Sequence, residues 1–216
     1  FEAAKTGRLK PIEKAVNDKG FDVNKLDPQF GSSCLHWAAR GGHAVVVQWL
    51  VDNGAQIDLR AKNKNTALHF AADAGSLTCI EILCKKGADH SLTSKYKWTP
   101  MHWAARNGNV KCMMALKEAG ADISPADEDK VTPLQICSDK GHDHCIEFLT
   151  SNGANVNAQD KLGDTPLHDA CGNGHYKVVE LLIKGGADKT IANEKGETPP
   201  DVVGPRFHDE CVAALG

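Results

Sequence analysis

Eight cysteines and ten histidines in 216 residues supply enough donors for a structural zinc site, a thiolate nucleophile or a general base, so their spacing decides which of these the chain could hold. Zinc frameworks pair their cysteines closely, and no Cys-x-x-Cys occurs. Cys79, Cys112 and Cys145 are instead 33 residues apart; the same interval leads on to Val178 and Cys211 and back to Val46. These thiols stand where valine stands elsewhere. Cys34, Cys84, Cys137 and Cys171 likewise fall on positions held in other intervals by Ala, Pro or an aliphatic residue. Free cysteine behaves as a small buried hydrophobe, so all eight read as structural, and the lack of a disulfide framework points to a reducing compartment. The histidines recur in the same way. His36, His69, His102 and His168 each stand three residues after a Ser or Thr, and His43, His142 and His175 each follow a glycine. A residue that repeats with the period belongs to the scaffold. No Ser-His-Asp, HExxH, Walker-type or GxGxxG pattern is present, so no enzyme, no metal site and no cofactor is expected.

The elements that position these residues follow from the same interval. A shift of 33 superimposes Ser33-Cys34-Leu35-His36, Thr66-Ala67-Leu68-His69, Thr99-Pro100-Met101-His102, Thr132-Pro133-Leu134-Gln135, Thr165-Pro166-Leu167-His168 and Thr198-Pro199-Pro200-Asp201. Thr followed by Pro starts a helix, because the hydroxyl caps free N–H groups and proline is tolerated in the first turn. That helix ends at Gly42, Gly75, Gly108, Gly141 or Gly174. A second helix follows with an apolar stripe, as in Val178, Leu181, Leu182 and Ile183, and a Gly-Ala pair closes it. The polar stretch that leads to the next Thr, such as residues 188–197, reads as an extended hairpin or loop, a protruding finger.

The TPLH-type starts, the mid-repeat glycine and the closing GAD or GAN resemble the ankyrin-repeat signature over essentially the whole chain. The resemblance implies an all-α solenoid of helix-turn-helix units with β-hairpin or loop fingers. One domain is expected over 1–216: a degenerate first repeat at 1–27, in which Ala3-Ala4-Lys5-Thr6-Gly7 matches Ala38-Ala39-Arg40-Gly41-Gly42, full repeats at 28–60, 61–93, 94–126, 127–159 and 160–192, and an atypical cap at 193–216 where Pro200 replaces the usual Leu.

Composition restricts the function further. With 41% hydrophobic and 25% charged residues the chain can bury a core and stay soluble. A net charge of -3 gives no global attraction to nucleic acid or anionic lipid, and no apolar run is long enough for membrane insertion. A chain that starts on Phe1 and stops at Gly216 reads as a domain cut from a longer protein of the cytosol, with the nucleus as the alternative, and as a monomer.

The resemblance implies protein binding through a concave face made by the finger tips and the exposed side of each first helix. The matching positions lie just before each Thr and four, seven and eight residues after it. In the N-terminal half they are aromatic and basic: Phe30, Trp37, Arg40, Arg60, Lys62, Phe70, Lys95, Tyr96, Trp98, Trp103 and Arg106. In the C-terminal half they are acidic, as in Glu128, Asp129, Asp164 and Asp169. The expected contact surface is centred on Tyr96, Trp98 and Trp103 and rimmed by Arg40, Arg60, Lys62, Lys95 and Arg106. Its partner would be a protein segment with acidic residues and an apolar anchor, bound by a scaffold or adaptor. Trp37, Phe70 and Trp103 serve either as groove residues or as packing between repeats; Tyr96 and Trp98, on a finger with little core to hide in, are assigned to the partner. The alternative is a regulatory or substrate-recruiting domain of a larger enzyme or channel. Asn65-Thr66-Ala67-Leu68-His69 is similar to the ankyrin domains of palmitoyltransferases. Trp98-Thr99-Pro100-Met101-His102-Trp103 resembles the methyl-lysine cage of histone methyltransferase ankyrin domains, but Arg106 stands where that cage has an acid. Asn157 matches the finger position that asparaginyl hydroxylases modify in the family, without the acid expected two residues earlier, where Asn155 stands.

Overall fold

The computed structural model describes residues 1–204 and 208–216, the side chains of Lys19 and His208 excepted. Its helices run α1 (Glu2–Lys5), α2 (Leu9–Lys19), α3 (Cys34–Arg40), α4 (Ala44–Asp52), α5 (Ala67–Asp73), α6 (Leu77–Lys85), α7 (Pro100–Arg106), α8 (Val110–Glu118), α9 (Pro133–Lys140), α10 (Asp143–Ser151), α11 (Pro166–Gly172), α12 (Tyr176–Lys184), a 3-10 turn (Pro199–Val202) and α13 (His208–Leu215). Two compact units result. The first comprises Phe1–Asn107 with Lys111–Ala121, and the second Gly108–Val110 with Asp122–Gly216.

From α3 onward each first helix begins with a reciprocal cap. The backbone N–H of Ser33 donates to Nδ1 of His36 at 3.0 Å, that of Thr66 to His69 at 3.1 Å and that of Thr165 to His168 at 3.0 Å. Because Nδ1 must accept, the ring proton sits on Nε2, which reaches the finger that follows. His36 donates to Leu59 O at 2.9 Å, His69 to Trp98 O at 3.0 Å and His168 to Glu197 O at 3.0 Å. One neutral imidazole therefore starts a helix and ties it to the next finger. Gln135 does both jobs with an amide, accepting from Thr132 N–H at 3.0 Å and donating to Asp164 O at 3.0 Å.

The turn between paired helices needs glycine for two reasons, clearest at Gly141. Its φ is +72°, and a Cβ there would lie 2.7 Å from Nδ1 of His175, whose Nε2 donates to Asp139 O. In the first unit α3 packs on α5 and α5 on α7, with α4 on α6 behind them; in the second, α9 packs on α11 and α10 on α12. The interior is Leu35, Leu50, Leu68, Leu83, Met101 and Leu116 in the first unit, and Leu134, Leu149, Leu167 and Leu182 in the second, all fully buried. Cys79, Cys112 and Cys145 are buried alongside, as Val46 and Val178 are. None of the eight cysteines forms a disulfide, and burial pushes Cys84 and Cys112 up to about 11 and Cys171 up to about 12.

Two details concern the fingers and the last repeat. The fingers hold no strand among the described residues. Each tip is a tight turn closed on itself, as by Ser94 N–H to Trp98 O at 2.8 Å and Lys97 N–H to Ser94 O at 3.1 Å, because four or five residues suffice to reverse the chain. At the other end, the last first helix is replaced by the 3-10 turn Pro199–Val202, which Asp201 still caps from the histidine position, accepting from Thr198 N–H at 2.8 Å.

Candidate partner-binding face

The face made by α3, α5, α7 and the fingers before them is built around a carboxylate that the period obscures. Asp27 is buried at the base of the first finger. Its Oδ1 accepts the N–H groups of Gln29 (3.1 Å) and Phe30 (2.7 Å), and its Oδ2 those of Ser32 (2.9 Å) and the Trp37 indole (3.1 Å). Burial opposes its ionisation, but these four donors outweigh burial and hold the carboxyl below its usual range. Asp127, Asp160 and Asn193 cap their own fingers in the same way. The first finger has one residue more than these between its cap and the left-handed turn position at Gly31, and Phe30 sits at that tip.

With Trp37 fixed, the aromatic side chains assemble on it. Phe30, half exposed, meets its ring edge-on at 5.5 Å, and Phe70 on α5 packs edge-on against His36 at 5.5 Å. The Arg40 guanidinium lies over both Trp37 (5.8 Å) and Phe70 (6.0 Å). Between these groups is a cavity of about 390 Å³ with Phe30, Trp37 and Phe70 as its apolar lining and Arg40, Lys62 and Lys95 as its basic rim. The fingers that carry the two lysines are joined by Lys95 N–H to Asn63 O at 3.0 Å.

The third finger forms a second cluster. Trp98 stacks on His102 at 5.8 Å and meets Trp103 edge-on at 5.1 Å, with Arg106 over both indoles at 6.0 and 5.4 Å. The first helix thus supplies packing that a finger lacks and leaves Trp98 half-buried, while Tyr96, 58% exposed with the Lys95 ammonium over its ring, stands clear. The Trp103 indole N–H is buried without an acceptor among the described residues, so it is the ring faces that are used. Arg106 also takes the place a methyl-lysine ammonium would need. Arg60 departs from the expected stripe. Its guanidinium donates to Lys64 O at 3.2 Å and to Thr93 O, binding finger to finger rather than rimming the cavity.

Backbone strain marks the basic tips. Lys64, Lys97 and Lys130 have φ of 64°, 60° and 63°, at the position where Gly31, Gly163 and Gly196 stand in the other fingers. A side chain in this region costs roughly 1 kcal/mol. Lys97→Gly should therefore stabilise the first unit by about 1 kcal/mol in urea unfolding, while slowing association with an acidic peptide. An unchanged or lower midpoint would show that the turn carries no such strain.

The remaining sites lie in the second unit. Asn157 uses its amide oxygen to accept the Asp188 N–H at 2.8 Å, and Asp58 accepts from Asp89 in the same way at 3.1 Å, so the residue links adjacent fingers. Asp169 occupies the position Trp37, Phe70 and Trp103 hold elsewhere. Burial, then the carboxylates of Asp139, Asp160 and Asp164, push it up to about 8. No group of three or more His, Cys, Asp or Glu suited to a metal ion occurs among the described residues, and no helix there is long and apolar enough to cross a membrane.

Comparison with known proteins agrees with this architecture. The family model for ankyrin repeats matches residues 1–94, 86–160 and 125–193. The human ankyrin repeat domain-containing protein 40 is 42% identical over 58 residues, 27% of this chain and 16% of that protein; the rat ankyrin repeat and SAM domain-containing protein 6 is 40% identical over 65 residues, 30% and 7% respectively. The matched stretches thus span a small part of these curated relatives. Among solved structures, the ankyrin repeat domain of human ASB11 superposes with a TM-score of 0.90 at 29% identity, covering 100% of this chain and 96% of that one. The ankyrin repeat domain of Bcl-3, a member of the IkappaB protein family, does so at 0.82 and 28% identity, covering 96% and 95%. Three copies of the family model spanning residues 1–193, on a fold shared end to end, show that the chain belongs to the ankyrin-repeat family.

Proposed function

We propose that the chain is a non-catalytic protein-interaction module that holds a segment of another protein on the first-helix and finger face of its first unit. The observation that carries this is the cavity floored by Phe30, Trp37 and Phe70 and rimmed by Arg40, Lys62 and Lys95. An apolar side chain fills such a floor, and carboxylates beside it meet the rim. Among the described residues none of the six ion pairs engages Arg40, Lys62 or Lys95. The same surface serves a scaffold or a recruiting domain of a larger enzyme, since both require this contact. Cysteines that form no disulfide agree with a reducing compartment, cytosol or nucleus, and a monomer suffices because the cavity is complete within one chain.

Peptides selected from a random display library on the full chain test the reading. Binding should fall more than about tenfold for Trp37→Ala and for Phe30→Ala, the latter at an exposed tip that leaves folding intact. Lys62→Glu with Lys95→Glu should slow association and weaken its salt dependence. Binders indifferent to these changes but abolished by substitution at Glu128, Asp129 or Asp164 would move the site to the second unit.

A further inference from the structure

The two arginines of the face share one position of the period. Arg40 and Arg106 both stand seven residues after the N-cap of their helices, on α3 and α7, and each guanidinium lies over two aromatic rings. Aromatic backing restricts a guanidinium before any ligand arrives, so less freedom is lost when it grips a carboxylate, and five N–H donors let it serve an internal and an incoming acceptor together. On α5, between them, the same position is Asp73, whose Oδ1 accepts from Asn107 Nδ2 at 3.1 Å. The charges along the face therefore read plus, minus, plus.

Spacing turns this order into a selection rule. Packed neighbouring helices lie roughly 8–10 Å apart, which puts α3 and α7 about 16–20 Å apart across α5. An extended chain advances about 3.3 Å per residue, so five or six residues cover that span. We propose that the face selects an extended acidic peptide segment with two carboxylate side chains five or six residues apart, one at Arg40 and one at Arg106, and no acid midway. The apolar residue that enters the cavity lies beside the first of the two. A nucleic acid fits poorly, because its phosphates recur at every nucleotide and would bring negative charge to Asp73. The inference rests on the preceding reading, that this face binds a peptide segment.

The display experiment reads the two separately. Peptides selected on the full chain should share two Asp or Glu residues at this spacing with a neutral or basic residue between. Selection on Arg106→Glu should replace the second acid by Lys or Arg and keep the first. A synthetic peptide of the selected sequence given a midway Glu should bind the native chain about fivefold more weakly and the Asp73→Asn variant equally well. Since all three positions are solvent-accessible, matching thermal midpoints certify the fold of each variant. Acids at no fixed spacing, a midway Glu without effect, or a dT20 oligonucleotide bound as tightly as the peptides would overturn the charge pattern while leaving Trp37-dependent capture standing. Binding that ignores Trp37→Ala and Phe30→Ala, or a library that yields no binder, would remove the face itself as the site.

Discussion

Lowering the pH from 7 to 4 should destabilise the first unit by about 6 kcal/mol, most of a small domain's stability, through His36 and His69. Burial disfavours the charged ring at both and brings each down to about 4, against 6.5 when exposed. As pH falls, the unfolded chain therefore takes up its protons first. The stability held above pH 6.5 is lost progressively between 6.5 and about 4, about 3 kcal/mol for each histidine. The second unit contains a shift of opposite consequence. Asp169, raised to about 8, favours the folded state most below the normal carboxyl range and loses that contribution as pH rises through 8, so acid relieves it. Trp37, Trp49, Trp98 and Trp103 all lie in the first unit, and tryptophan fluorescence reports that unit alone. Urea midpoints followed by fluorescence should fall steeply below pH 6.5. The double variant His36→Gln/His69→Gln should flatten the profile while keeping the midpoint at pH 7, because Gln135 already makes both hydrogen bonds in its own repeat. A double variant with the native acid profile would assign the pH dependence to other groups.

The second large effect is expected at Asp27. Removing its carboxylate strands four donors, that of Ser32 buried and the other three partly so, and Asp27→Ala should cost about 3 kcal/mol. Asp27→Asn should be nearly as harmful. An amide presents N–H to Ser32 N–H and the Trp37 indole, where only acceptors fit, or to Gln29 and Phe30 if it is reversed. Because the same carboxylate fixes the Trp37 ring, both variants should lose peptide binding under conditions where they remain folded. Trp37→Phe keeps a ring without the N–H, and its combination with Asp27→Ala isolates the coupling between the two residues. An Asp27→Asn variant that is stable and binds normally would place the organisation of the cavity elsewhere.

The period of 33 contained most of the scaffold, because helix caps, turn glycines and buried thiols are local demands repeated at every interval. The position of the His36 series was legible for that reason. What periodicity hides are contacts specific to one repeat. The role of Asp27 was missed although Asp127, Asp160 and Asn193 perform the same capping, since the extra residue in the first finger shifts it out of register. The destination of a long side chain was equally invisible. Position alone made Arg60 a rim charge; its guanidinium reaches Thr93 O instead. Trp98 was read as exposed because a finger offers no core, whereas His102 and Trp103 on the following helix supply one.

Thiols that form no disulfide give the chain a further property that substitution of valine by cysteine leaves behind. Alkylating reagents attack thiolates, and a thiol that is both enclosed and protonated reacts only when its surroundings open. Cys34 lies on α3, Cys79 on α6, Cys112 on α8, Cys137 on α9, Cys171 on α11 and Cys211 on α13, all buried and all raised above the ordinary thiol range by burial. Successive helix pairs thus carry their own native chemical clock, and the order in which these six sulfurs acquire an alkyl mass at neutral pH records the order in which the chain comes apart, without a single introduced label.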